Sequence, residues 1–369
     1  MIQTFNIFLV LSIIIINDHN IEIDVSRFQN IRSSISLSNF YKNSFKIGTA
    51  VSINEMSSIN NKKVENIIKN HFTSITPENA MKPESILRKN GDFNWKEADK
   101  IIDFAKMNNI VVRGHTLLWH KQTPDWFFKN SNNEYLSKDE LYLRQYQYME
   151  KVMNRFDYVE VWDVVNEVVS DNFNSSQLYR SKNSNWYKIC GEEFVEKAFL
   201  MANAISPEKK LFYNDYNLLQ KQKQDKVFKM LENLIKKGVP IHGLGIQAHW
   251  TVYDSPKEIE NLIKRFSSLG LDIHITELDL SVFKRNRDNF DSNYVFDKNE
   301  EKKQAKSYKN IFKVFTKHKD KISSVSFWGV SDKDSWLNNH PIKGRRNYPL
   351  LFNDEYKPKM NFFYITTNN

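Results

Sequence analysis

The chain has 369 residues, of which 40% are apolar and 14% aromatic, so it can bury a full hydrophobic core. Its formal net charge of +9 would indicate a nucleic-acid or anionic-membrane partner only if the positive charges were clustered. Lysines instead alternate with acidic residues at 300–303 and 317–321, and the one dense basic patch, 343–346, is short. We therefore predict no nucleic-acid partner. Cys190 is the only cysteine, which excludes an intramolecular disulfide and a cysteine-based zinc site.

The N-terminal region contains an apolar run from Phe5 to Ile16, which has the length of a signal-peptide core and is too short to span a membrane. No lysine or arginine precedes the run and no clear small-residue cleavage site follows it, so a membrane anchor is the alternative. We expect residues 1–20 to be a signal peptide or an anchor, residues 21–44 to be a lead-in segment, and residues 45–366 to form one domain.

After about residue 44, short apolar runs alternate with longer helical patterns, which is typical of a parallel sheet built from β-α-β units. We predict eight strands, at Phe45–Val51, Phe72–Thr76, Ile110–Arg113, Tyr158–Val165, Leu211–Tyr213, Leu244–Gln247, Asp272–Thr276 and Val325–Trp328. Helices are predicted at Trp95–Met107, Lys138–Arg155, Glu192–Ala204, Lys223–Lys237, Pro256–Ser268 and Glu301–Thr316, with a last helix starting near Pro358. Residues 285–300 are rich in Asn and Asp and predict a long loop.

This alternation fits either a closed barrel or a doubly wound open sheet. An open sheet usually binds its ligand at one switch point, whereas a barrel draws site residues from the C-terminal ends of many strands. Polar or aromatic side chains follow nearly every predicted strand, from Glu78 after the second to Trp328 at the end of the eighth. No glycine-rich phosphate loop follows the first strand, so a dinucleotide site is not expected. We therefore predict an α/β fold, a single (β/α)8 TIM barrel.

Two glutamates at predicted strand ends have the chemistry required to cleave a glycosidic bond. Glu167 closes the fourth predicted strand directly after Asn166, and Glu277 follows the seventh. In such a pair one carboxyl group protonates the leaving oxygen, while the other attacks the sugar or activates water. A strand-end glutamate taken alone is more often a helix cap or a surface residue. Two of them with these flanking residues favour catalysis.

The residues around these glutamates offer ways to set their charge states, since an acid must be protonated and a nucleophile ionised. We hypothesise that His249, held by Asp279, hydrogen-bonds Glu277 and keeps it charged. A buried histidine with only a structural role is the alternative. Asn166 is placed to bind the sugar 2-hydroxyl, a contact that strengthens in the transition state.

Three tryptophans and two histidines are further candidate residues. Trp119, Trp328 and Trp336 would form an aromatic floor for a pyranose ring, with core packing as the alternative. His115 and His120 are close in the sequence, but no third ligand stands at a recognisable spacing. We therefore predict no metal and no other cofactor.

Taken together, these motifs make the chain similar to the family 10 glycoside hydrolases, the xylanase family. The resemblance runs from about Phe45 to Phe363 and is carried by seven ordered blocks, at 76–82, 113–117, 162–167, 213–216, 245–249, 276–279 and 328–336. The departures are small. Leu118 and Ser331 are mild changes, and Asn353 stands where the family commonly has Asp.

The resemblance implies a retaining endo-1,4-β-xylanase that acts on xylan by double displacement, with Glu167 as acid/base and Glu277 as nucleophile. For the sugar just before the cleaved bond it implies Lys82, His115, Trp119, Asn166, Gln247, Trp328 and Trp336. It implies that Glu78 and Asn79 contact the next sugar, with Gln122 nearby. Tyr216 would face the leaving-group side. A retaining β-glucanase and a catalytically silent sugar-binding protein are the alternatives. We expect the protein to be secreted.

Overall fold

A computed structural model of this protein describes residues 35–57, 61–89, 91–285 and 294–367. Within these residues, nine parallel strands form one sheet. The predicted signal or anchor at 1–20 lies outside these residues, as does the lead-in up to residue 34. The strands are β1 Lys46–Val51, β2 Ser74–Pro77, β3 Val111–Trp119, β4 Val159–Asn166, β5 Lys210–Asp215, β6 Gly243–Ile246, β7 His249–Thr251, β8 Asp272–Ser281 and β9 Ile322–Phe327.

Eight of these strands close into a barrel. The order around the sheet is β6-β5-β4-β3-β2-β1-β9-β8, and β6 also pairs with β8, which completes the ring. The short strand β7 pairs only with the outer part of β8, where His249 lies opposite Asp279. The predicted (β/α)8 barrel is therefore confirmed, and β7 is an addition that the sequence did not predict.

Helices connect the barrel strands and cover them. They are α1 Leu37–Tyr41, α2 Ile53–Ser57, α3 Asn61–His71, α4 Pro83–Ile86, α5 Lys96–Met107, α6 Lys138–Arg155, α7 Asn185–Cys190, α8 Phe194–Ile205, α9 Lys221–Lys236, α10 Pro256–Ser267, α11 Lys298–Lys317 and α12 Met360–Ile365. Within the described residues, none of these helices has both the length and the apolar character needed to cross a membrane.

Side-chain caps fix where several helices begin. Ser137 and Glu140 form a reciprocal capping box at the start of α6, so that this helix has the predicted bounds. Asp297 accepts hydrogen bonds from the backbone N–H groups of Asn299 and Glu300. This cap starts α11 at Lys298, so the predicted loop at 285–300 extended too far. Of that loop, residues 286–293 lie outside the described part of the chain.

Strands β3 and β8 extend furthest beyond their predicted C-terminal ends, because the polar motifs that the prediction placed after them are part of the strands. β3 continues past Arg113 to Trp119 and therefore contains His115, and β8 continues past Thr276 to Ser281. Gly114 in β3 lies against the ring of Trp162, where an added Cβ would come within 2.2 Å of Cε3. Glycine at this position lets β3 and β4 carry their polar side chains side by side.

The last residues of the predicted lead-in segment belong to the folded unit. Helix α1 buries Tyr41, whose ring stacks on Phe45 at 5.0 Å and contacts Phe312 at 5.3 Å. The Tyr41 hydroxyl donates a hydrogen bond to the carbonyl oxygen of Ile365. Helix α1 thus ties the beginning of the barrel to its last helix.

Candidate active site

A cleft of about 830 Å³ opens at the C-terminal ends of the barrel strands. Every residue singled out from the sequence as a site candidate lines this cleft, namely Glu78, Asn79, Lys82, His115, Trp119, Gln122, Asn166, Glu167, Tyr216, Gln247, His249, Glu277, Asp279, Trp328 and Trp336. The fold brings them together because parallel strands of a barrel end at one face. His120, noted beside them, does not line it.

Glu277 is the more strongly constrained of the two glutamates. Its carboxylate accepts a hydrogen bond from Asn214 Nδ2 at 2.8 Å and lies 3.1 Å from His249 Nε2. The other ring nitrogen of His249 lies 2.9 Å from Asp279 Oδ2. Burial alone would raise the pKa of Glu277, but the hydrogen bond and charge of His249 outweigh it and hold that pKa below its ordinary value.

His249 is held in its charged form by the same pair of contacts. Burial would lower its pKa, but the carboxylates of Asp279 and Glu277 outweigh burial and raise the pKa of His249 to about 10. At neutral pH this imidazolium therefore donates to both carboxylates. The arrangement keeps Glu277 ionised inside a buried site, as a nucleophile requires.

Glu167 lies in a different environment that contains neutral donors. Its Oε2 accepts a hydrogen bond from Trp119 Nε1 at 3.0 Å, and its Oε1 accepts one from Gln247 Nε2 at 3.1 Å. No cation forms an ion pair with its side chain among the described residues. The two glutamates therefore differ in their partners, because Glu277 contacts an imidazolium and Glu167 contacts only neutral donors among the described residues.

The backbone of Glu167 adopts a conformation that is unfavourable for a residue with a side chain, with a φ of 55°. Two contacts hold it there. Its N–H donates to the Asn214 carbonyl oxygen at 2.9 Å, and its own carbonyl oxygen accepts from Arg180 Nε at 2.7 Å. Such strained backbone is typical of functional positions that the surrounding structure fixes.

Asn214, which the sequence-based site did not include, connects the two glutamates. Besides Glu277, its amide lies 3.0 Å from the amide of Asn166, and it accepts a hydrogen bond from Thr276 Oγ1 at 2.7 Å. Asn166 in turn lies 3.3 Å from Gln247 Nε2. The position of Asn214 at the end of the fifth predicted strand was the available signal.

A buried lysine lies on one side of the cleft. Lys82 is buried, and its Nζ donates to Asn79 Oδ1 at 2.9 Å and to Gln122 Oε1 at 3.0 Å. It also lies 4.9 Å from the ring centre of Trp119. Burial lowers the pKa of Lys82 and raises the pKa of the neighbouring Glu78. These groups form a polar wall with donors and acceptors suited to sugar hydroxyls.

His115 is oriented by a carboxylate. Its Nδ1 lies 2.9 Å from Asp163 Oδ2, and Asp163 is also bound by Arg113. Burial would raise the pKa of Asp163, but the charge of Arg113 and the contact with His115 hold it below its ordinary value. For His120, burial lowers the pKa to about 3.

The tryptophans contribute polar contacts as well as surfaces. Trp336 Nε1 donates to Asp279 Oδ2 at 2.8 Å, next to the contact of that carboxylate with His249. The ring of Trp328 lies edge-on to His115 at 5.5 Å and to His249 at 6.3 Å. Trp119 Nε1 likewise bonds Glu167, so two of the three indole groups make polar contacts that the predicted aromatic floor did not include.

On another side of the cleft, Tyr216 takes part in a network of charged groups. Its hydroxyl donates to Asp171, and Arg180 Nη2 donates to the same hydroxyl at 2.8 Å. Lys223 is buried and lies 2.8 Å from Asp171 and 3.0 Å from Asp215. This network fixes the ring of Tyr216 at the edge of the cleft.

The sequence-based site also lacked the residues on the rim near Trp336. This part of the cleft is lined by Phe283, Lys284, Arg285, His340, Pro341 and Arg345. Of these, only Arg345 belongs to a motif noted in the sequence, the basic patch at 343–346. Loop residues of this kind carry no periodic signal that would place them at a site.

The cleft can therefore support chemistry that needs an ionised carboxylate and a second carboxyl group in a different environment. Glu277 and Glu167 are only 4% and 7% exposed, respectively, which removes competing water from both. Indole rings and amide groups around them suit the apolar faces and hydroxyls of a pyranose. These are the requirements for cleavage of a glycosidic bond.

The chain was compared with known protein families, proteins and solved structures. A family model, Glycosyl hydrolase family 10, matches residues 36–368. The chain is 44% identical over 333 residues to a β-1,4-xylanase of Dictyoglomus thermophilum, covering 89% of this chain and 90% of that one. An endo-1,4-β-xylanase structure from Caldicellulosiruptor owensensis has a TM-score of 0.83 at 42% identity, covering 90% and 99% of the two chains. A variant enzyme in complex with xylotriose has a TM-score of 0.84 at 40% identity, covering 90% and 100%.

Proposed function

Because the chain belongs to glycosyl hydrolase family 10, we propose that it is a retaining endo-1,4-β-xylanase in which Glu167 is the acid/base and Glu277 the nucleophile. The enzyme hydrolyses internal β-1,4-xylosidic bonds of xylan by double displacement. The observation that carries the assignment of roles is the contact of Glu277 with the His249–Asp279 pair, because it distinguishes two otherwise similar carboxyl groups.

The reaction follows from these environments. Glu167 donates its proton to the glycosidic oxygen while the ionised Glu277 attacks the anomeric carbon, which gives a covalent glycosyl-enzyme and releases the shortened chain. Glu167, now a carboxylate, then takes a proton from water as that water attacks the same carbon from the opposite face. Two inversions leave the anomeric configuration retained. Asn214 and His249 hold Glu277 in place throughout.

The remaining side chains bind the polymer. Lys82, His115, Asn166 and Gln247 contact the sugar just before the cleaved bond, together with the rings of Trp119, Trp328 and Trp336. Glu78, Asn79 and Gln122 serve the next sugar, while Tyr216 faces the leaving group. The hydrogen bonds of Lys82 with Asn79 and Gln122 support this assignment, because they join the two proposed sugar positions into one polar wall.

The test is hydrolysis of a panel of polysaccharides by the purified enzyme. Release of short oligosaccharides from xylan, with the β-anomer formed first in proton NMR spectra, is the expected result. Faster release from a mixed-linkage β-glucan than from xylan would favour a β-glucanase on the same barrel. Binding of these polymers without any release would favour a silent sugar-binding protein, and an initial α-anomer would exclude double displacement.

The substrate also bears on where the enzyme works. Xylan is a polymer too large to enter a cell intact, so an extracellular location suits the reaction, and the apolar run Phe5–Ile16 supports secretion. N-terminal sequencing of enzyme recovered from the culture medium tests this. A new N-terminus shortly after residue 16 is expected, and enzyme retained with the cells would contradict it.

A further inference from the structure

Arg345 is a buried cation at the cleft for which the described residues supply no charged partner. It lines the cleft and is only 4% exposed. Its Nε and Nη1 are buried and have no hydrogen-bond partner in the described part of the chain. A buried cation that is not paired is costly, and native structures contain few of them without a reason.

The surroundings of Arg345 make this part of the cleft electropositive. Its guanidinium lies 4.4 Å from the ring centre of Phe283, which gives it a surface but no counter-charge. Lys284 and Arg285 line the same rim, and the nearby carboxylate of Asp254 is already paired with Arg285 at 2.9 Å. The carboxylate of Asp279 is paired with His249, and its Oδ2 also accepts a hydrogen bond from Trp336 Nε1. An anion entering here would therefore meet free positive charge.

Its neighbour in the sequence provides a contrast. Arg346 forms an ion pair with Asp354 and donates to the carbonyl oxygen of Lys333, as a structural surface arginine does. Arg345 makes no such contact among the described residues, although burial lowers the pKa of its guanidinium. Arginine nevertheless stays charged in proteins, so the site presents a permanent cation to the substrate.

We propose that Arg345 binds the carboxylate of a uronic-acid side group on the xylan chain, which makes uronate-substituted xylan the preferred substrate class of this enzyme. The inference rests on the proposed xylanase function and deepens it. A planar guanidinium matches a carboxylate in shape and charge, and the resulting hydrogen bonds are stronger than those between neutral groups. Neutral xylan offers only hydroxyl groups, which leave the charge of Arg345 uncompensated.

The experiment compares two polymers that differ only in charge, a glucuronoxylan and the same glucuronoxylan after chemical reduction of its carboxyl groups to alcohols. The wild-type enzyme should have a kcat/KM about ten-fold higher on the acidic polymer, an effect expected of one charge-assisted contact. Added salt should reduce this preference. In R345M the ratio of the two kcat/KM values should fall to about one, whereas R346M, the matched control, should keep the wild-type ratio.

The outcomes separate this inference from the function on which it rests. Hydrolysis of neither polymer by the wild-type enzyme would overturn the xylanase function and the inference together. Equal hydrolysis of both by the wild-type enzyme would overturn the inference alone, whether or not R345M folds. An R345M variant that loses activity on both polymers equally and keeps the wild-type ratio would show that Arg345 serves the fold and not the uronate.

Discussion

Replacement of His249 by alanine should shift the pH range in which the enzyme works. In the structure, His249 is the only cation that contacts Glu277 among the described residues, while Asn214 supplies a neutral hydrogen bond that would remain. A hydrogen bond involving a charged group contributes about 1.5–3 kcal/mol. One pKa unit corresponds to about 1.4 kcal/mol, so the pKa of Glu277 should rise by about one to two units in the variant.

The sign of the effect follows from the need for an ionised Glu277. The acidic limb of the pH profile of kcat/KM reports this ionisation in the free enzyme, so it should move to higher pH by the same one to two units. Initial rates on an aryl β-xylobioside between about pH 3 and 9, a range that brackets the ordinary pKa of a glutamate, measure it.

A second histidine–glutamate pair offers a matched control. His318 lies 3.1 Å from Glu260 at the end of α11, and neither residue lines the cleft. The profile of His318→Ala should overlay that of the wild-type enzyme. An acidic limb that stays in place in His249→Ala would refute the idea that His249 keeps Glu277 charged.

Four further outcomes follow from particular contacts. Glu167→Gln keeps the shape of the acid but removes its proton, so kcat on xylan should fall by about 10²–10⁴-fold, and by less on an aryl xyloside whose leaving group needs no protonation. The raised pKa of His249 gives stability that is complete below pH 6.5 and lost as pH rises through about 10. The lowered pKa of Glu277 gives stability that is present above pH 4.5 and is lost as the pH falls below that value. In denaturant unfolding, His249→Ala should therefore lower the free energy of unfolding most between pH 4.5 and 6.5, the ordinary pKa values of Glu277 and His249, and least near pH 10. Ser137→Ala removes the capping box of α6 and should lower the free energy of unfolding by about 1 kcal/mol in the same assay. The buried carboxylate of Asp332 lies 2.7 Å from the ammonium group of Lys359. Lys359→Met removes this partner and should lower the free energy of unfolding by about 3–5 kcal/mol. A decrease of less than about 1 kcal/mol would contradict that reasoning.

The barrel could be predicted because its signals are local and repeated. Helix α6 has the predicted bounds Lys138–Arg155, since an amphipathic pattern follows directly on a serine cap. Helix α3 at Asn61–His71 escaped prediction. Its composition is dominated by Asn and Lys, and only Val64, Ile67 and Ile68 are buried. Its stability comes from packing on the barrel, which the local sequence does not report.

The site could be predicted as a set of residues but only partly as a set of contacts. Polar residues at strand ends identify the cleft, because the fold alone brings them together. The bridging position of Asn214 depends on the register of β4, β5 and β8, which carry Asn166, Asn214 and Glu277. A β-strand shifted by one residue would turn that side chain away. The burial of Arg345, and the lack of hydrogen-bond partners for its Nε and Nη1 among the described residues, depend on loops after β8 and β9, whose conformation follows no periodic pattern.

The central claim is that Glu277 forms a bond to the sugar, and trapping that bond tests it most directly. An activated 2-deoxy-2-fluoro-xylobioside has a good leaving group, which makes attack possible, while its fluorine slows the second displacement so that the covalent intermediate accumulates. Mass spectrometry of the digested protein should place the sugar on Glu277. Attachment to Glu167 or to any other residue, or inactivation without a covalent sugar, would contradict the account.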